Sequence, residues 1–138
     1  MAEQDYNVEI ITPEKVLFSD TVDTVEAPGE KGEFQVYGEH TPFLSGLTTG
    51  PVALSKGGTK TFVNVAGGFC EVQPDKMVLL AHTAELAEDI DVTRAESAKE
   101  RAESRLESRN EDIDEERAKA ALARAMARLQ TAEVMKNA

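Results

Sequence analysis

A chain of 138 residues accommodates one compact domain with an appendage rather than two full domains. Its 15 basic and 26 acidic residues give a formal net charge of -11, which argues against nucleic acid or an anionic membrane surface as a general partner. Basic features must therefore be local.

The N-terminal "MAEQDYNVEI" carries acidic residues where a signal peptide needs an apolar run. Tyr6, Val8 and Ile10 then alternate with polar neighbours, the period of a half-buried strand. "PEK" at Pro13, "APGEKGE" at Ala27 and "QPD" at Gln73 punctuate further short alternating stretches, among them Phe62 and Asn64 against Val63 and Val65. "SKGGTK" at Ser55 to Lys60 reads as a hairpin turn, because Gly57 and Gly58 tolerate positive φ. Cys70 lies in the apolar "GGFCEV" and, as the single cysteine, closes no disulfide within the chain. The longest apolar run, "MVLLA" at Met77 to Ala81, is far too short to span a bilayer as a helix. Short strands without intervening helices predict an antiparallel β-sandwich or barrel over residues 1–87. A soluble, cytoplasmic chain is the expectation.

After about residue 88 glycine and proline vanish, and Ala, Glu, Arg and Lys dominate. Ala95, Ala98, Ala102 and Leu106 step by three and four, as do Ala118, Leu122, Ala125, Leu129 and Ala132, so two amphipathic helices are predicted over 88–138. Asp112 with Glu115 makes a capping box for the second. The fold class expected is α+β, a sandwich followed by a helical hairpin. The facing stripes are mostly alanine, whose methyls offer little area at roughly 25 cal/mol per Å², so the hairpin is expected to be marginal and detachable.

Familiar catalytic apparatus is missing. His40 and His82 form no paired motif such as HExxH, Ser45 lacks a nucleophile elbow, and Cys70 has no adjacent base. "GEKGEFQ" and "GGTKTF" lack the spacing of a phosphate-cradling loop. No catalytic residue and no metal ligand set is expected. Charge does concentrate in one place: Arg117 to Lys136 holds five basic residues against Glu133, a rod of net +4 suited to an acidic partner or simply solvated. Arg94 and Arg101 lie seven apart, Arg124 and Arg128 four, so each pair shares one helix side. Folded back, the helices would aim four guanidinium groups at a common space, which needs carboxylates or a multivalent anion. Glu85 and Asp91 could hold an adenine or ribose edge, or pair with the arginines; Asp91 also reads as an ordinary N-cap.

"GEFQVYGEHTPFL" at Gly32 to Leu44, "VAGGFCEV" at Val65 to Val72, "LLAHTAELAEDID" at Leu79 to Asp91 and the closing "LARAMARLQ" resemble, from end to end, the epsilon-subunit family of the bacterial rotary proton-translocating ATP synthase. Tyr37-Gly38-Glu39 stands where that family usually has Pro-Gly before the histidine, and His82 where aspartate is common. The resemblance implies a ten-stranded sandwich followed by two helices. It further implies a non-catalytic rotor subunit packed on gamma and the ring of c subunits, with Glu33 and His40 in the rotor-contact loop. The hairpin would be compact, or extended along gamma to block hydrolysis, with Arg117, Lys119, Arg124 and Arg128 facing beta, and alpha as a further candidate. Some members bind ATP through I/L-D-x-x-R-A-x5-R; Ile90, Asp91, Arg94, Ala95 and Arg101 fit it, with Glu85, Arg124 and Arg128 in support. By the same resemblance no cofactor is required and ATP is a regulatory ligand. The subunit would sit peripherally, without membrane insertion, on the cytoplasmic face of the bacterial plasma membrane. A free-standing nucleotide-sensing module is the alternative.

Overall fold

Alternation of apolar and polar residues produces the first strand, β1 (Tyr6–Ile11), whose Tyr6, Val8 and Ile10 are all buried. The computed structural model describes residues 5–108 and 114–138. Seven strands follow: β2 (Val16–Val22), β3 (Thr24–Gly29), β4 (Gly32–Val36), β5 (Phe43–Leu47), β6 (Gly50–Lys56), β7 (Thr59–Gln73) and β8 (Lys76–Leu86). They hydrogen-bond in the order β2-β1-β8-β7-β5-β3-β4, and β6 bridges β3 and β7, so the sheet folds back on itself. The core between the layers is built largely of valine, with Ile10, Leu54, Met77 and Leu79 the largest fully buried side chains. Aliphatic, β-branched residues suit both the pleat and the close packing.

Two expectations are corrected. Eight strands are seen among the described residues, not ten, because β7 and β8 continue around a corner instead of ending at it. The first half of β7 pairs with β6 through Thr59 to Val65, and the second with β5 through Gly68 to Val72. At the corner the inward face changes parity, from Val63 and Val65 to Cys70 and Val72. Gly67 and Gly68 make this possible with φ of 67° and 119°. A Cβ on Gly68 would lie 2.0 Å from the Leu80 carbonyl oxygen. The sheet is also not wholly antiparallel: β1 runs parallel to β8 over Lys76 to Leu80. No tight turn joins those two strands, so nothing local imposes opposite directions. The β6–β7 turn agrees with its sequence, with Gly57 and Gly58 at φ 55° and 83°. The Gly57 N–H donates to Asp23 Oδ2 at 2.9 Å.

Cys70 is sealed in the core, and burial pushes its thiol up to about 12. A raised folded value leaves the thiol's contribution to stability intact below its ordinary 9.0 and removes it as pH climbs toward about 12. At pH 8 labelling by a thiol reagent therefore requires opening of the sandwich. The expected rate in the native chain is at least ~100-fold below that in denaturant, checked by timed mass spectrometry.

A 3-10 turn, Ala87–Asp89, ends the sandwich and leads to α1 (Val92–Ser108) and α2 (Glu115–Lys136). The expected cap Asp112 lies outside the described residues; Asp114 caps α2, its Oδ1 accepting from the Arg117 N–H at 3.1 Å. Ala95 and Ala102 of α1 and Ala118 and Ala125 of α2 are buried, as the alanine stripes require. Beyond the predicted stripe, α2 buries Ala127 and Thr131, and it is this helix that packs on β6 and β7.

Candidate functional site

Asp91 opens α1 as its N-cap. Its Oδ1 accepts the Arg94 N–H at 3.0 Å, and its carbonyl accepts the Ala95 N–H at 3.0 Å. The cap turns Arg94 and, two turns on, Arg101 to the side of the helix that overlooks the end of β8. There Glu85 accepts a hydrogen bond from Arg128 Nε of α2 at 3.0 Å. Around this ion pair lies a cavity of about 390 Å³ lined by Glu85, Asp89, Asp91, Arg94, Ala95, Ala98, Arg101 and Arg128.

A second cavity of about 210 Å³ continues between the helices. It shares Ala98, Arg101 and Arg128 with the first and adds Arg105 and Arg124, with alanines completing the wall. The two differ in charge. Among the described residues the first mixes three carboxylates with three arginines, while the second is lined by four arginines and no carboxylate. Glu85, among the described residues, pairs directly with Arg128 alone. Such a gradient suits an elongated ligand with a hydrogen-bonding head and a polyanionic tail, because guanidinium forks bind phosphate oxygens in pairs. The alanine stripes leave room for it; leucines there would fill the space.

Of the residues expected from sequence, Glu85, Asp91, Arg94, Ala95, Arg101 and Arg128 line the first cavity, and Arg124 lines the second. Ile90 is buried beneath the 3-10 turn, its N–H donating to the Ala87 carbonyl at 3.2 Å, and lines neither. Arg117 and Lys119 also lie outside both, and Lys119 pairs with Glu115 at 3.5 Å on its own helix. Asp89 and Arg105 were not anticipated. Arg105 stands one turn after Arg101, a spacing that could have named it. Among the described residues no cluster of His, Cys, Asp or Glu is arranged to hold a metal ion.

On the sandwich itself, Glu33 is exposed on β4 opposite Pro28. His40 is half-buried, its two ring nitrogens facing the carbonyls of Tyr37 and Gln73 and its ring edge-on to Tyr6 at 4.8 Å. This histidine ties its loop to the end of β7. On the neighbouring strands Leu44, Phe69 and Leu80 are 70%, 57% and 51% exposed. Phe69 and Leu80 are direct cross-strand partners, and Leu44 stands one strand over. An exposed apolar patch of this kind marks a contact surface.

Residues 5–87 match the beta-sandwich domain of the ATP synthase delta/epsilon chain, and residues 88–133 match its long alpha-helix domain. An ATP synthase epsilon chain of Nitratidesulfovibrio vulgaris (strain DP4) is 49% identical over 104 residues, 75% of this chain and 78% of that one. In structure, a chain of the Euglena gracilis mitochondrial ATP synthase superposes with a TM-score of 0.73 at 19% identity, covering 96% of this chain and 80% of the other. One from the central stalk and c-ring of the Tetrahymena thermophila mitochondrial ATP synthase gives 0.61 at 14% identity, covering 96% and 99%. At those identities the likeness is one of fold. The sequence matches carry the assignment, and on them the chain belongs to the delta/epsilon chain family of ATP synthase.

Proposed function

We propose that this non-catalytic subunit works in the central stalk of an F-type ATP synthase, where it couples proton-driven rotation to ATP synthesis and restrains hydrolysis through its helical hairpin. The sandwich, residues 1–87, packs on gamma and the c-ring, with the Leu44, Phe69 and Leu80 patch, Glu33 and the His40 loop as the contact surface. The hairpin, residues 88–138, is the regulatory part. Released, it carries Arg117, Lys119, Arg124 and Arg128 to beta, and to alpha beside it. Docked, it assembles the arginine cavities, where ATP bridges the two helices and favours the compact form. The subunit is peripheral to the cytoplasmic face of a bacterial membrane; among the described residues no helix is long and apolar enough to cross one.

The observation that carries this reading is the composition of the junction. The buried residues of α2 are Ala118, Ala125, Ala127 and Thr131, none larger than threonine, so each of them opposes release with little apolar area. Reconstituting alpha, beta and gamma with saturating full-length chain or with a chain ending at residue 87 tests it. The shortened subunit should leave ATP hydrolysis several-fold faster; equal rates would reject the regulatory role. A free-standing nucleotide sensor is the second reading, favoured by the arginine cavity alone. Stable co-purification with gamma rejects it.

A further inference from the structure

Among the described residues only two polar or charged residues are buried, Asn64 at 6% and Thr131 at 0% exposure, and they meet each other across the junction of sandwich and hairpin. Thr131 Oγ1 lies 3.3 Å from Asn64 Oδ1 and 2.8 Å from the Ala127 carbonyl oxygen, one turn back on α2. Asn64 is the direct cross-strand partner of Glu85. Side chains of such partners project from the same face of the sheet. Thr131 follows Arg128 by three residues, so the two share one side of α2. The result is a two-rung polar seam: Thr131 meets Asn64, and one turn earlier Arg128 meets Glu85.

The rungs differ in environment. The outer one is solvent-accessible and its members line the cavity. The inner one is nearly closed off from water, with Asn64 6% and Thr131 0% exposed. A buried polar pair adds modest net stability, but it penalises every register in which a partner is left unsatisfied. Alanine contacts lack that discrimination, since one methyl resembles the next.

We propose that Asn64 and Thr131 form a latch that sets the register of α2 on the sandwich and thereby holds Arg128 at the cavity. They are positioning residues, touching no ligand. The latch also makes docking reversible, because once the helix leaves Thr131 keeps its Ala127 carbonyl partner and water can satisfy Asn64. The consequence for Arg128 rests on the regulatory reading above; the latch itself does not.

The test uses the full chain with Ala127→Cys, a probe on the same buried stripe as Thr131, and follows thiol labelling residue by residue without nucleotide. Cys70, inside the sandwich core, is the internal control, because it reports unfolding and not undocking. Thr131→Val leaves Asn64 Oδ1 without its hydroxyl donor, and labelling at position 127 should quicken about tenfold while Cys70 stays protected. Thr131→Ser keeps the hydroxyl and should label like the parent. Asn64→Leu with Thr131→Val removes both polar groups and should return most of the protection. Parent-like labelling of Thr131→Val, or equal acceleration at Cys70, overturns the latch. The hydrolysis assay is independent of this outcome, so either idea can fail while the other stands.

Discussion

Gly68→Val is expected to leave no stably folded sandwich. The residue sits at φ 119°, outside the region open to a β-branched side chain, and its Cβ would meet the Leu80 carbonyl oxygen at 2.0 Å and the Ala81 Cα at 2.9 Å. Both obstacles are backbone of the strand to which β7 is bonded, so no rotamer change relieves the clash. Relief would separate β7 from β8 at the corner where the inward face changes parity, exposing Cys70, Val72 and Leu79 together. A cost of at least ~4 kcal/mol follows, comparable with a small domain's whole stability. The neighbouring glycine is the control. Gly67 has φ 67°, and an added Cβ meets only the edge of the His82 ring at 2.9 Å. Gly67→Asn should therefore cost about 1–2 kcal/mol and remain folded, since asparagine tolerates the left-handed region and the ring can move. Thermal melts followed by circular dichroism separate the cases; a Gly68→Val chain melting like the parent would mean that the corner is not required.

Removal of single arginines is expected to divide the helical residues into two classes when ATP is titrated into the isolated chain by calorimetry. Arg101 lines both cavities, so Arg101→Ala should weaken binding by about 10–100-fold, the scale of one charge-assisted hydrogen-bonding group. Arg124→Ala should do the same from the end lined by Arg101, Arg105, Arg124 and Arg128. Arg117→Ala removes an identical charge that lines neither cavity and should change affinity less than about twofold, a long-range effect screened by salt. Equal losses in all three variants would mean that ATP reads overall charge and not a site. No saturation with the parent chain up to millimolar ATP would remove the nucleotide role and leave Asp91 as a cap.

The sequence was readable where one physical demand acted on neighbouring residues. Alternation announced β1, paired glycines announced the β6–β7 turn, and the alanine steps announced which faces of α1 and α2 meet. Arg94 and Arg101 could be placed on one side of a helix by spacing, and Arg128 beside them by the hairpin. What failed depends on contacts distant along the chain. Nothing local in "VAGGFCEV" says that the strand turns a corner and continues, and the ten strands implied by the family resemblance are eight continuous ones here. The parallel pairing of β1 with β8 joins residues about seventy apart. Apolar doublets such as Phe43-Leu44 and Leu79-Leu80 violate alternation, and that violation was the available signal for the exposed patch. Leu79 points into the core while Leu80 faces out. Thr131 had no sequence signature, because a threonine in a helix gains meaning only from the asparagine opposite.

The two caps bear on the hairpin release proposed above. Asp91 bonds to the start of α1 and Asp114 to the start of α2, each within its own first turn, and neither borrows a group from the sandwich. Separating the hairpin from the sandwich breaks the Arg128 and Thr131 rungs but no cap. On the proposed release the helices would leave as ready-made rods, with Ala87 to Ile90 as the joining segment, because neither cap has to break. A hinge of the proposed kind would run on the microsecond-to-millisecond scale, quick enough to keep step with a catalytic cycle of ordinary turnover.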